Sequence, residues 1–193
     1  SRFMPGYYVF PGGAVERDDI RARPAGDLHP EAAALAAVAG RTTKARALAM
    51  TAVRETFEET GLMVGRKGDV GQLKSTSWSA IQRMELAPAL DRLRYVGRAI
   101  TPTDSPIRFH ARFFVTDAES TVGEMKGDGE LADLRWITLK RLDDFPVIDV
   151  TRFMFAHAVL TTTSPVEHDP GFPLFLWRGG GPWVRYFHAD QAG

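Results

Sequence analysis

With 193 residues, of which 44% are hydrophobic and 25% charged, the chain has the composition of a soluble globular protein with a sizeable core. Lys and Arg number 24, as do Asp and Glu, so no overall field favours nucleic acid or an anionic membrane. The absence of cysteine excludes disulfides and thiolate chemistry and fits a reducing compartment such as the cytoplasm. The Ala- and Arg-rich composition points weakly to a bacterial source.

The first predicted element is a strand over residues 7–10, where Tyr and Phe favour extended structure and Pro11 ends it. Residues 17–19 are predicted to form a charged turn, and the Ala-rich residues 30–39 a short helix that begins near a proline. The Gly- and Pro-containing stretch between them is predicted to be a loop.

The strongest helix prediction covers residues 47–60, which are rich in helix formers. Thr42 or Thr43 is its candidate N-cap, and Gly61 is a natural stop. Carboxylates at positions i, i+3 and i+4 share one face of this helix: Glu55, Glu58 and Glu59. Like charges at this spacing repel, and a hard cation such as Mg²⁺ or Mn²⁺ would relieve the repulsion. The alternative for these three residues alone is a solvated acidic face.

Beyond the helix, the alternation of apolar and aromatic residues predicts strands at 62–67 (strand or loop), 94–100, 108–116 (a central strand) and 134–138. Helices are predicted at 76–84, with Trp78 and Ile81 facing the core and Met84 as a further candidate, and at 150–160, with a loop or short helix at 89–93. A hairpin with a glycine turn is predicted from 172–178 and 183–187. Strands that frame helices without regular alternation indicate an α/β fold with a mixed sheet.

Two separated segments, Gly12-Gly13-Ala14-Val15-Glu16 and Arg54-Glu55-Thr56-Phe57-Glu58-Glu59-Thr60-Gly61-Leu62, together resemble the Nudix box, G-x5-E-x7-R-E-U-x-E-E-x-G-U with U apolar. The resemblance implies the Nudix α/β/α sandwich and hydrolysis of nucleoside diphosphates linked to another moiety. Asp19 stands where the pattern has its first Glu, and Thr56 where an apolar residue is usual. Gly13 and Arg54 are 41 positions apart, against 14 in the usual box, which implies an insertion at about residues 20–46.

The resemblance also implies a Mg²⁺- or Mn²⁺-dependent site. Its metal ligands would be the backbone carbonyl of Gly12 and the carboxylates of Glu55, Glu58, Glu59 and Glu130. Glu55 would serve as a further ligand or align the attacking water, and Arg54 would orient the carboxylates. Glu130, six positions before Trp136, ranks ahead of Glu124 as the distant loop carboxylate.

Arg108 and Arg112 alternate on one predicted strand with His110, so they share a face that could hold substrate phosphate, or be merely solvated. Residues 3–137 are similar to the Nudix branch of coenzyme A diphosphatases with an enlarged box, which makes coenzyme A or acyl-coenzyme A the expected substrate. The competing class is a non-catalytic Nudix-fold module that senses a nucleotide.

We expect a single domain over residues 1–193, with the first strand of the fold lying before residue 1. The expected partner is a small-molecule nucleotide, with no nucleic acid or membrane, and a homodimer stays open. The insertion is either a helix packed on the domain or a lid over the phosphate site.

Overall fold

The computed structural model describes residues 6–37, 40–101, 109–126, 133–163 and 171–188. The chain forms two compact units. The helix unit contains Pro11–Arg94 and Thr116–Arg135, and the sheet unit contains Ser1–Phe10, Tyr95–Val115 and Trp136–Gly193. The single domain over the whole chain stays a prediction. Among the described residues, no helix is both long and apolar enough to cross a membrane.

The helix unit combines helices with a small antiparallel sheet. Its described elements are α1 (Arg17–Arg21), α2 (Pro30–Leu35), α3 (Thr42–Thr60), β1 (Met63–Lys67), α4 (Thr76–Arg83), β2 (Leu86–Pro88) and β5 (Thr121–Val122), with 3₁₀ helices at Leu90–Arg92 and Ala118–Ser120. Strand β1 is the central strand and pairs antiparallel with β2 on one side and β5 on the other. Met50 of α3, Met63 of β1 and Trp78 of α4 are fully buried.

Helix α3 carries the predicted carboxylates. It begins at Thr42 with Arg41 at the N-cap, so the predicted N-cap at Thr42 or Thr43 is wrong. The helix extends five residues further towards the N-terminus than predicted, because Ala45 there is already buried and is stabilised by packing. It ends at Gly61, whose φ of 75° lies in the left-handed region that favours glycine, as predicted.

The described part of the sheet unit forms four strands and one long helix. They are β3 (Arg94–Ile100), β4 (His110–Val115), α5 (Asp149–Thr163), β6 (Phe172–Arg178) and β7 (Gly181–Phe187), with a 3₁₀ helix at Leu139–Asp144. The strand order is β4-β3-β6-β7, with β3 and β6 parallel and β6 and β7 antiparallel, so the predicted mixed sheet is confirmed. Helix α5 packs on one face of this sheet, where Met154 is buried with Val96, Ala99 and Phe175.

The hairpin of β6 and β7 has a two-residue glycine turn. Arg178 pairs with Gly181, which leaves Gly179 and Gly180 as the loop, with φ of 59° and 80°. Positive φ at both central residues is the geometry that suits the twist of two antiparallel strands. The predicted hairpin is therefore confirmed.

Several predicted elements are wrong. Residues 7–10 form only an isolated parallel bridge between Tyr8 and Val147, because their partner is a single residue of a distant loop. Residues 134–138 form no strand, since the half-buried positions there are three apart rather than two and Trp136 is 69% exposed. Residues 17–19 belong to helix α1, and β4 lies at the end of the described strand order rather than at its centre. Met84, a candidate for the core, is 43% exposed because it lies just beyond the last residue of its helix.

Candidate active site

A buried ion pair between Arg54 and Asp19 lies at the centre of the candidate site. The Arg54 side chain is only 1% exposed, and it donates from Nε to Asp19 Oδ1 at 2.8 Å and from Nη2 to Oδ2 at 3.0 Å. Trp78 Nε1 donates to Oδ1 at 2.9 Å, and the backbone N–H of Glu16 donates to Oδ2 at 2.8 Å. Because both groups are bidentate and fully hydrogen-bonded, the guanidinium has one fixed orientation.

This network keeps both partners charged. Burial works to raise the pKa of Asp19, but hydrogen bonds from Arg54, the Glu16 backbone, Thr51 and Trp78 outweigh it and hold that pKa below its usual value. Burial likewise opposes the charge of Arg54, yet the neighbouring carboxylates raise its pKa above the usual value. Arg54 is therefore a permanent cation inside the helix unit.

Two of the predicted carboxylates converge on one nitrogen of that cation. Glu55 Oε1 lies 2.8 Å and Glu58 Oε2 lies 2.9 Å from Arg54 Nη1. The Glu55 side chain is 13% exposed, and burial raises its pKa even though the Arg54 charge opposes this. The positive charge of Arg54, which Glu55 shares with other carboxylates, therefore offsets only part of the cost of burying the Glu55 charge.

The glycine segment upstream lies directly against these groups. A Cβ atom built on Gly13 would be 2.1 Å from Glu55 Oε1, so only glycine allows this approach of backbone to carboxylate. The next residue, Ala14, accepts a hydrogen bond from Arg54 Nη2 through its carbonyl at 3.0 Å. A Cβ on Gly12 would meet no atom within 4 Å. The two segments that resemble the Nudix box therefore meet in space.

The donor atoms here suit a divalent cation, but they are not arranged around one. Mg²⁺ and Mn²⁺ prefer carboxylate oxygens, which Glu55 and Glu58 supply. Both instead face Arg54, and Glu59 is half-buried and has an interaction of its own. Within the described ranges, no group of three Asp, Glu or His side chains is positioned to hold a metal ion. The chemistry of the residues therefore fits the metal, and a metal would have to compete with Arg54.

Four further residues were predicted as candidates for the site: Glu130, Glu124, Arg108 and Arg112. Glu130 and Arg108 lie outside the described residues. Glu124, the second candidate for the loop carboxylate, is exposed and forms an ion pair with Lys126 at 2.8 Å. Arg112 is half-buried on β4 of the sheet unit and donates to the carbonyl of His110 at 3.0 Å.

The pattern singled out Asp19 as a departure from the Nudix box but did not predict that it pairs with Arg54. It occupies the place of the first glutamate in the pattern, six positions after Gly13, and that spacing was the available signal. Its neighbour Asp18 accepts hydrogen bonds from the backbone N–H groups of Lys74 and Ser75, at 2.9 and 3.0 Å, and thereby anchors the start of α4. No sequence signal indicated that Trp78 of α4 would donate to Asp19.

The comparisons with known proteins bear on the fold. No family model matches the chain, and no curated protein matches it. Among solved structures, the chain is similar to the crystal structure of a NUDIX hydrolase from Alicyclobacillus acidocaldarius, with 26% identity and a TM-score of 0.60. The similarity covers 87% of this chain and 86% of that one. The predicted fold class is confirmed, and the likeness supports placing this chain in the Nudix superfamily.

Proposed function

We propose that this protein is a metal-dependent hydrolase that cleaves the pyrophosphate bond of a nucleoside diphosphate linked to another moiety. The observation that carries the proposal is the convergence of Glu55 and Glu58 on Arg54 Nη1 beside the Gly13 backbone. The similarity to a NUDIX hydrolase over most of both chains supports the same reaction class.

The reaction requires negative charge to be gathered at phosphorus and a water to be positioned for attack. A bound Mg²⁺ or Mn²⁺ would meet both requirements, because it neutralises phosphate oxygens and lowers the pKa of a bound water. Glu55, Glu58 and Glu59 on α3 would hold it, with the Gly12 carbonyl and Glu130 as the remaining proposed ligands. Arg54, fixed by Asp19, positions Glu55 and Glu58 and acts through them.

Within this class we propose coenzyme A or acyl-coenzyme A as the substrate, giving 3′,5′-ADP and the (acyl-)phosphopantetheine. The support is the similarity of residues 3–137 to the coenzyme A diphosphatase branch, including the stretch between Gly13 and α3. In the structure that stretch contains the helices α1 and α2. We also propose that Arg108 and Arg112 bind the substrate, and that the insertion is either a helix packed on the domain or a lid over the phosphate site.

The test is product analysis on a substrate panel with Mg²⁺ or Mn²⁺: coenzyme A, NADH, ADP-ribose, dinucleoside polyphosphates and 8-oxo-dGTP. The Glu59→Gln variant should lose at least about 100-fold in kcat while remaining folded, because a metal ligand is lost. Glu119→Gln, the same change at an exposed carboxylate, serves as the control and should retain full activity. An unchanged kcat in Glu59→Gln would remove this glutamate from the proposed site.

One observation favours a second candidate, a non-catalytic Nudix-fold module that senses a nucleotide. Glu55 and Glu58 are both engaged by Arg54, and the described residues contain no assembled three-ligand group. A sensor would bind members of the panel without turning any of them over, with or without the divalent ion. Turnover of a single panel member that is abolished by EDTA would exclude it.

A further inference from the structure

The four strands of the sheet unit have an unusual charge composition. β3, β4, β6 and β7 contain no Asp or Glu. Their basic residues are Arg94, Arg98, His110, Arg112, Arg178 and Arg185. An otherwise neutral chain thus concentrates positive charge on one sheet, and such a concentration attracts anionic ligands.

The strand register places two of these arginines side by side. Arg98 of β3 pairs with Leu174 of β6, which pairs with Arg185 of β7, so all three side chains project from the same face. Helix α5 packs on the other face, against Phe175. We call the face with Arg98, Arg185 and Phe187 the arginine face.

Both arginines lie over a single aromatic ring. The guanidinium carbon of Arg98 is 5.2 Å and that of Arg185 is 4.9 Å from the centroid of the Phe187 ring. Neither arginine forms an ion pair with a carboxylate in the part of the chain that the structure describes. A guanidinium that rests its flat face on a ring keeps its N–H edge available, and that edge matches a phosphate.

The neighbouring titratable groups add to this preference for an anion. Burial, followed by the charges of Arg112 and Arg98, lowers the pKa of His110 to about 4. Tyr95 also lies in the field of Arg98 and Arg112, and burial raises its pKa to about 12. His110 and Tyr95 are therefore neutral at pH 7, and neither supplies a counter-charge. Like charges gathered in this way repel one another until an anion binds.

An aromatic platform lies beside the two arginines. Trp183 is two residues before Arg185 on β7, so it shares the same face at a distance of about 6.8 Å along the strand. Arg178 lies over its ring at 5.7 Å, and the Trp183 side chain is 39% exposed. The spacing is comparable with the reach from a nucleobase to its own phosphate.

We propose that the arginine face is a nucleotide-binding site, in which Arg98 and Arg185 hold the phosphate and Trp183 stacks on the base. All residues of this site belong to the sheet unit, and none of them is a glutamate of α3. The zero net charge of the chain favours a small nucleotide over a nucleic acid, whose binding rests on many phosphate contacts.

The test measures ADP binding to the full chain by calorimetry in EDTA, so that no divalent ion contributes. ADP should bind, inorganic phosphate more weakly, and adenosine not at all. Arg98→Gln and Arg185→Gln should each weaken ADP binding about tenfold or more, since a charge-assisted hydrogen bond is lost. Arg185→Lys keeps the charge but loses the planar guanidinium, so its ADP affinity should lie between those of the parent and of Arg185→Gln.

The matched control is Arg141→Gln. Arg141 also lies over a ring, that of Phe145 at 6.0 Å, but it already pairs with Asp144 at 3.0 Å, so its loss should leave ADP affinity unchanged. Because Arg98 is half-buried, circular dichroism should establish that Arg98→Gln is folded. If Arg98→Gln unfolds, the test rests on Arg185→Gln, since Arg185 is exposed.

Three results would overturn the proposal. The first is equal ADP affinity in the parent, Arg98→Gln and Arg185→Gln. The second is adenosine binding as tight as ADP binding. The third is tight binding of a single-stranded oligonucleotide by a protein that does not bind ADP. Loss of hydrolysis in Glu59→Gln with ADP affinity retained would separate this site from the proposed catalytic one.

Discussion

Replacing Asp19 with Asn tests whether the buried ion pair holds the helix unit together. The Asp19 oxygens accept from Arg54 Nε and Nη2, Trp78 Nε1 and the Glu16 backbone, at 2.8 to 3.0 Å. An Asn side chain must direct its NH₂ group at donors on one side, and it removes the only carboxylate that accepts from Nε and Nη2 of the buried Arg54 cation among the described residues. Breaking a buried pair in this way costs about 3–5 kcal/mol.

That loss is a large part of a typical total stability of about 5–15 kcal/mol. For a chain of this length, 1 kcal/mol lowers Tm by about 2–4 °C, so a Tm decrease of roughly 6–20 °C is expected. The assay is urea unfolding followed by circular dichroism, together with a thermal melt, at pH 7.

The control is Asp27→Asn. Asp27 accepts from Arg46 Nε at 2.9 Å, nearly the same contact, but its side chain is 68% exposed. Exposed pairs contribute about 0–1 kcal/mol, so this variant should unfold almost like the parent. A loss below about 1 kcal/mol in Asp19→Asn, or equal losses in both variants, would refute the assignment of stability to burial.

Two further predictions concern the same network. Gly13→Ala should reduce activity by at least about tenfold with a small change in Tm, because the added Cβ would lie 2.1 Å from Glu55 Oε1 and would force the carboxylate to move. Full activity of this variant in a kinetic assay would contradict the proposed role of Glu55. Because the pKa of Asp19 is lower in the folded chain, its stabilisation is present above about pH 4 and is lost as pH falls through the folded value. The unfolding free energy of the parent should therefore fall on acidification more steeply than that of Asp19→Asn, and parallel pH profiles would contradict this.

The sequence predicted the elements whose signals are local. Strand β3 was predicted with its observed bounds, Arg94–Ile100, and the end of α3 at Gly61 was predicted from one residue with a conformational preference. The β6–β7 hairpin followed from its glycines, since the turn and both strands are adjacent in the chain.

The wrong predictions concern contacts between residues that are distant in sequence. Tyr8 meets Val147, and the partner of a strand-like segment cannot be read from the segment itself. Trp78 was correctly predicted to be buried from its apolar character, but its hydrogen bond to Asp19 joins residues 59 positions apart. The arrangement of the glutamates shows the same division, because helical spacing predicted their shared face, whereas the approach of Glu55 to Gly13 depends on the folded chain.

The parallel pairing of β3 with β6 has a consequence for synthesis on the ribosome. Arg98 and Leu174 are roughly 75 residues apart. Strand β3 lies between β4 and β6, so β6 covers the edge of β3 that faces away from β4. At about 5–20 residues per second, the nascent chain emerges with that edge uncovered for roughly 4–15 seconds. During this interval the β3 edge is a template for unwanted pairing with other chains, so slower elongation should increase co-translational aggregation.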